Sequence, residues 1–137
     1  MKATVIHVKD GGFVARSDSR HWTGFDWSEE SGGTDGAPSP VEMVLMALGA
    51  CSAIDVVSIL RKSRTPSEEL RVELTAERRE EHPRIFTTIH LEFIVRGTGI
   101  KPPALERAIK LSEETYCSVA GMLRGTAEIT SSYRLES

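Results

Sequence analysis

The stretch Ser39-Pro40-Val41-Glu42-Met43-Val44-Leu45-Met46-Ala47-Leu48-Gly49-Ala50-Cys51-Ser52 decides the fold. Ser39 suits a helix N-cap. Pro40 suits the first helical position, where an N–H has no partner anyway, and Glu42 completes a capping box three residues after the cap. From Met43 to Leu60 almost every side chain is apolar or small. A helix hydrophobic on all sides is either buried or in a membrane. This one is near the lower limit for a membrane span, and Gly49, Ser52, Asp55, Ser58 and several alanines favour a buried helix. Arg61-Lys62-Ser63-Arg64 suits the negative end of the helix dipole, and Pro66 blocks continuation.

Upstream of this helix the chain reads as short strands. Lys2 to Val8 is rich in β-branched residues and runs into the turn signal Asp10-Gly11-Gly12. Phe13 to Arg16 and Trp22 to Trp27 read as the next two strands, and residues 31–38 as a flexible loop. Downstream, Leu70, Val72, Leu74 and Ala76 alternate with polar residues, and Glu80-Glu81-His82-Pro83 makes a turn. Ile85, Thr87, Ile89, Leu91, Phe93 and Val95 then carry a second alternating strand. A second helix is expected from Pro102 or Pro103 to about Tyr116, with Leu105, Ala108, Ile109 and Ser112 on one face. Ser118 to Leu123 reads as a short extra turn and Ala127 to Leu135 as a final strand. Strands and helices are segregated, so the expected class is α+β with antiparallel sheet, in a single domain covering 1–137. One small domain cannot easily wrap a long helix that is apolar all round, and a homodimer would cover it.

The chain has 137 residues and a formal net charge of -3, enough length for a core without staples and no basic patch for nucleic acid. Met1 leads straight into a strand-like pattern rather than a signal peptide. Two cysteines in such a chain point to a reducing, cytoplasmic setting. No His/Cys cluster has zinc-ligand spacing, and neither a metal nor an organic cofactor is expected. On residue type alone, Cys51 among alanines reads as a small buried hydrophobe and Cys117 as a helix-terminal residue.

The stretch around Cys51 resembles the OsmC/Ohr family, which groups osmotically inducible protein C with the organic hydroperoxide resistance proteins. Its pattern of a Ser-Pro start, a small-residue helix and Ala-Cys is matched by Ser39 to Ser52. Tyr116-Cys117-Ser118-Val119-Ala120 resembles the second cysteine motif of the family. Glu106-Arg107-Ala108-Ile109-Lys110-Leu111-Ser112 is similar to an OsmC-like branch. The resemblance implies intertwined homodimers with long central helices held between antiparallel sheets and active sites at the subunit interface. It also implies a mechanism: Cys51 is the peroxidatic thiolate that reduces an organic hydroperoxide, Cys117 resolves the resulting sulfenic acid as a disulfide, and an external dithiol restores both.

The pattern departs from the best-studied branch at two points. The family glutamate directly follows the proline, where this chain has Val41. Glu42 stands one residue later, and the first structural duty of that position is capping. Nine helical residues put Glu42 about 13 Å from Cys51 of its own chain, so it would serve a partner's site. The family arginine lies in the N-terminal turn, which here is Lys9-Asp10-Gly11-Gly12. Arg16 is the candidate substitute, with Arg20 beside it, and both also read as ordinary solvated residues. Arg107 and Arg124 are further cations for Cys117. Asp55, one turn beyond Cys51, reads as meeting solvent or a subunit contact, and His90 as exposed. Trp22, Phe25 and Trp27 read as packing residues or as the wall of an apolar pocket. The alternative function is a thiol-bearing small-molecule binding or redox-sensing protein of the same fold, without turnover.

Overall fold

Turn residues and alternating side chains set up an antiparallel meander at the start of the chain. It comprises β1 (Ala3–His7), β2 (Phe13–Ser17) and β3 (Trp22–Phe25), in spatial order β1-β2-β3. The β1–β2 turn passes through Asp10, at φ 61°, in the left-handed region that Asp tolerates. After β3 the chain is anchored by Asp26, which is 3% exposed. Its carboxylate accepts the N–H groups of Trp27 (2.7 Å), Thr34 (3.0 Å) and Gly36 (3.0 Å), together with the Thr34 hydroxyl. The Thr34 hydroxyl first, and then these N–H groups, hold the Asp26 carboxyl far below the usual carboxylate range. The loop is therefore closed around one buried charge. Phe13 and Trp27 pack at 5.9 Å between ring centroids, and the Trp27 indole N–H donates to the Ser31 carbonyl.

The expected first helix is α1 (Pro40–Lys62). The Glu42 N–H donates to Ser39 Oγ at 3.2 Å, and the Ser39 hydroxyl donates to Glu42 Oε1 at 3.1 Å. The cap thus forms, with the carboxylate accepting a hydrogen bond from the hydroxyl.

The computed structural model describes residues 1–136, and contacts divide the chain into two compact units, Met1–Leu45 and Met46–Ser137. In the second unit, β4 (Glu69–Arg78) and β5 (Phe86–Arg96) form an antiparallel hairpin with Val72 opposite Phe93 and Leu74 opposite Leu91. A bulge between Glu77 and Arg78 shifts the register. The alternation expected from Ile85 breaks there: Phe86 is buried and Ile85 is 38% exposed. After β5 come α2 (Pro102–Leu111), a single π-helical turn (Ser112–Tyr116) and α3 (Ser118–Leu123), ending in β6 (Glu128–Glu136).

The sheet order is β4-β5-β6, and β6 pairs with β5 in parallel. This corrects the expectation of wholly antiparallel sheet. The stretch between β5 and β6 holds two helices, which is the crossover that parallel neighbours require. Central β5 supplies Ile89, Leu91, Phe93 and Val95 to the core. Leu48, Val56 and Leu60 of α1 and Leu105, Ala108 and Ile109 of α2 are buried as well. Each large apolar side chain so buried contributes about 1.5–3 kcal/mol.

The expectation that α1 is apolar on all sides holds, but its burial is one-sided. Leu48, Gly49, Ser52, Val56 and Leu60 are buried, whereas Met46 is 45% and Ile54 68% exposed. The helix is long and apolar enough to cross a membrane by length and composition alone. Gly49 lies where α1 meets β4, and a Cβ added there would stand 2.7 Å from Leu74 Cδ1.

Candidate active site

Cys51 and Cys117 both fall in the second unit, and the fold makes them neighbours across 66 residues of sequence. Cys51 is the half-buried twelfth residue of α1. Cys117 is 5% exposed and stands at the break between the π-helical turn and α3, with extended backbone at φ -72°, ψ 102°. It caps the third helix, not the second. Its N–H donates back to the Ser112 carbonyl at 2.8 Å, and its Sγ accepts the Ala120 N–H at 3.3 Å.

Ser52, next to Cys51, completes the pairing. It is 2% exposed, and its hydroxyl donates to Cys117 Sγ at 3.5 Å. A step of about 100° along the helix separates consecutive side chains. One residue therefore faces inward onto Cys117 while its neighbour keeps a partly open position.

Burial pushes the Cys117 thiol up. The Ser52 hydroxyl and the Ala120 N–H pull it down, and the sulfur of Cys51, within hydrogen-bonding and Coulombic reach, raises it again. Of the two thiols, Cys117 is the more deeply buried.

One helical turn further, Asp55 is half-buried, part of it open to solvent as expected and one oxygen paired across the fold. Its Oδ2 accepts the Ser112 hydroxyl at 2.9 Å, and Ser112 is fully buried. Ser112 thus ties α1 through its side chain and Cys117 through its carbonyl. The π-helical turn that begins at Ser112 supplies the extra residue that lets both bonds form. A cleft of about 340 Å³ opens beside it, lined by Asp55, Ser58, Lys62, Arg107 and Tyr116 among others. Arg124 lines a separate recess of about 350 Å³ with Glu113, Glu114 and Ala120.

Glu42 and Arg16, the other two candidates, belong to the first unit and have local partners there. Glu42 is engaged with Ser39. Arg16, on β2, lies with its guanidinium 5.8 Å from the Trp22 ring centroid, opposite it in register. His90 is not freely exposed: its ring nitrogens bridge Thr130 (2.7 Å) and Ser132 (2.9 Å) on β6. His21 meets Ser19 Oγ at 2.9 Å. Among the described residues no group of three or more His, Cys, Asp or Glu stands together to hold a metal ion. No hydrogen bond runs from a cationic side chain to either sulfur among them.

The family model for OsmC-like protein matches residues 33–132. The chain is 53% identical over 135 residues to Protein YhfA of Escherichia coli strain K12, covering 98% of each. A structural-genomics structure superposes with a TM-score of 0.88 at 50% identity, covering 98% of both chains. An organic hydroperoxide resistance protein OsmC from Legionella pneumophila, described as a predicted redox protein, shares the fold. Its TM-score is 0.68 at 14% identity, over 96% of this chain and 94% of that one.

Proposed function

This chain belongs to the OsmC-like protein family, and we propose that within it the protein is a thiol-dependent peroxidase acting on organic hydroperoxides. The observation that carries the reading is the adjacency of a half-open Cys51 and a buried Cys117, whose sulfur meets the hydroxyl of Ser52 beside Cys51. Cys51 thiolate attacks one oxygen of the peroxide, the O–O bond breaks, and the other oxygen leaves as alkoxide that takes a proton to become an alcohol. Cys51 is then a sulfenic acid. Cys117 sulfur attacks it and expels water, leaving the Cys51–Cys117 disulfide. A dithiol reduces the disulfide and is itself oxidised, so the cycle requires no metal or organic cofactor.

The same proposal sets the protein in the reducing cytoplasm as a homodimer whose second copy covers the exposed face of α1 around Met46 and Ile54. Val44, Met46 and Ile54 are the large apolar side chains that this helix leaves exposed. Sedimentation should give twice the chain mass, and Ile54→Asp should lower it.

The test of function is consumption of cumene hydroperoxide with a dithiol present. Wild type should turn over, and Cys51→Ser, folded as judged by circular dichroism, should not. Absence of turnover with every dithiol tried would overturn the proposal. Arg16→Ala and Glu42→Gln decide the remaining roles. A fall in peroxide rate at unchanged stability would make them the activating cation and acid, and a change in stability alone would leave them a strand residue and a cap.

A second reading is supported by the neutral donors, Ser52 and Ala120, that meet the Cys117 sulfur. It makes the protein a thiol-bearing small-molecule binding or redox-sensing protein. That reading predicts a single stoichiometric reaction of Cys51 with a ligand or oxidant and no catalytic turnover.

A further inference from the structure

We infer that Ser52 receives the departing Cys117 sulfur when the disulfide is reduced, directing the reductant to Cys51 and setting the rate of recycling. The inference rests on the redox reading above and concerns its second half. Three features carry it. Cys51 is half-buried and Cys117 is 5% exposed, so a dithiol in solution reaches the Cys51 sulfur first. Ser52, 2% exposed, donates its hydroxyl to Cys117 Sγ at 3.5 Å. The Ala120 N–H donates to the same sulfur at 3.3 Å. Two donors from different elements converge on one buried sulfur.

In the exchange, a reductant thiolate attacks Cys51 Sγ. A mixed disulfide forms there, the Cys51–Cys117 bond breaks, and its electron pair departs on Cys117 Sγ. The second thiolate of the dithiol then attacks its own sulfur in the mixed disulfide and releases Cys51 thiolate. Two electrons pass to the protein and the dithiol leaves as a disulfide. The departing Cys117 anion appears in a buried place, which opposes it. A leaving thiolate departs faster the better it is stabilised, and the Ser52 hydroxyl and Ala120 N–H are the groups positioned to do that. The backbone donor cannot be removed by substitution, but the serine can.

Ser52→Ala is suited to a helix interior, because alanine is the better helix former. The two half-reactions are to be followed separately by stopped flow. Peroxide loss in the first step, before Cys117 reacts, should proceed at the wild-type rate, because that step uses the Cys51 sulfur while the Ser52 hydroxyl is bonded to Cys117. Reduction of the oxidised protein by dithiothreitol should be roughly five- to tenfold slower, the cost of losing one donor to a developing anion. Ser52→Thr, which keeps the hydroxyl, should recover most of the rate. A second measurement avoids the disulfide altogether. In Cys51→Ser protein, the pH profile of Cys117 alkylation should move to higher pH when Ser52→Ala is added.

Equal reduction rates for wild type and Ser52→Ala, or an unmoved alkylation profile, would overturn the inference while leaving the peroxidase reading standing. Equal slowing of both half-reactions would make Ser52 a packing residue and would also overturn it. Failure of the wild type to form the Cys51–Cys117 disulfide would overturn both.

Discussion

Replacing Gly49 with alanine sets two effects of known sign against each other at the point where α1 rests on β4. Gly49 is buried mid-helix, two residues before Cys51. Alanine in a helix interior is favoured over glycine by about 1 kcal/mol. Its methyl would stand 2.7 Å from Leu74 Cδ1, about 0.7 Å inside the 3.4 Å at which ordinary carbon contacts begin. Overpacking of this kind costs about 1–3 kcal/mol. Leu74 is half-buried and meets the new methyl with the end of a flexible side chain, so the lower part of that range applies. Gly49→Ala alone should therefore be near neutral or destabilising by up to about 1 kcal/mol.

In a Leu74→Ala background the obstruction is gone, and the same substitution should stabilise by about 1 kcal/mol. The difference, a coupling of about 1–2 kcal/mol, is the energy of the close approach. Urea unfolding of the four proteins at one protein concentration measures it, since stability of a self-associating chain depends on concentration. An equal effect of Gly49→Ala in both backgrounds would refute the reasoning and with it the account of how α1 is seated.

Asp26 gives a pH prediction. Its carboxyl is depressed below the ordinary 3.8, by the Thr34 hydroxyl first. A depressed acid contributes stability that is present above the unfolded value and is lost as pH falls below it. Stability of wild type should therefore drop progressively below about pH 4, and Asp26→Asn should be weaker at pH 7 but lose less on acidification. Urea midpoints at pH 7, 5, 4 and 3 check this, and parallel losses in the two proteins would contradict it. Ser39→Ala removes the acceptor of the Glu42 N–H and should cost about 1 kcal/mol in the same assay. No loss would mean the cap contributes nothing to the start of α1.

Local chemistry made much of the fold readable. Ser39, Pro40 and Glu42 announce the start of α1, and the alternation of Leu70, Val72, Leu74 and Ala76 announces β4, because both signals are carried by residues close in sequence. The parallel direction of β6 is not legible from segregated elements alone, although the two helices between β5 and β6 form the crossover it requires. The bulge at Glu77 and Arg78 leaves no mark in residue type. In the site, the two cysteines were visible through the resemblance. Ser112 is legible as an inner-face residue and is buried, but the partners of Ser52 and Ser112 are not legible, because they lie 65 and 57 residues away. The helical spacing of Asp55 from Cys51 is legible, but its hydrogen-bond partner Ser112 lies on another element. Glu42 was rightly given a structural duty, which the hydrogen bonds with Ser39 now display.

The central claim is that Cys51 and Cys117 form one redox pair, and counting thiols tests it most directly. Reduced protein treated with one equivalent of cumene hydroperoxide should lose both thiols per chain, and peptide mapping should find Cys51 joined to Cys117 within the same chain. Loss of a single thiol, or retention of both after the peroxide has been offered, would contradict the account.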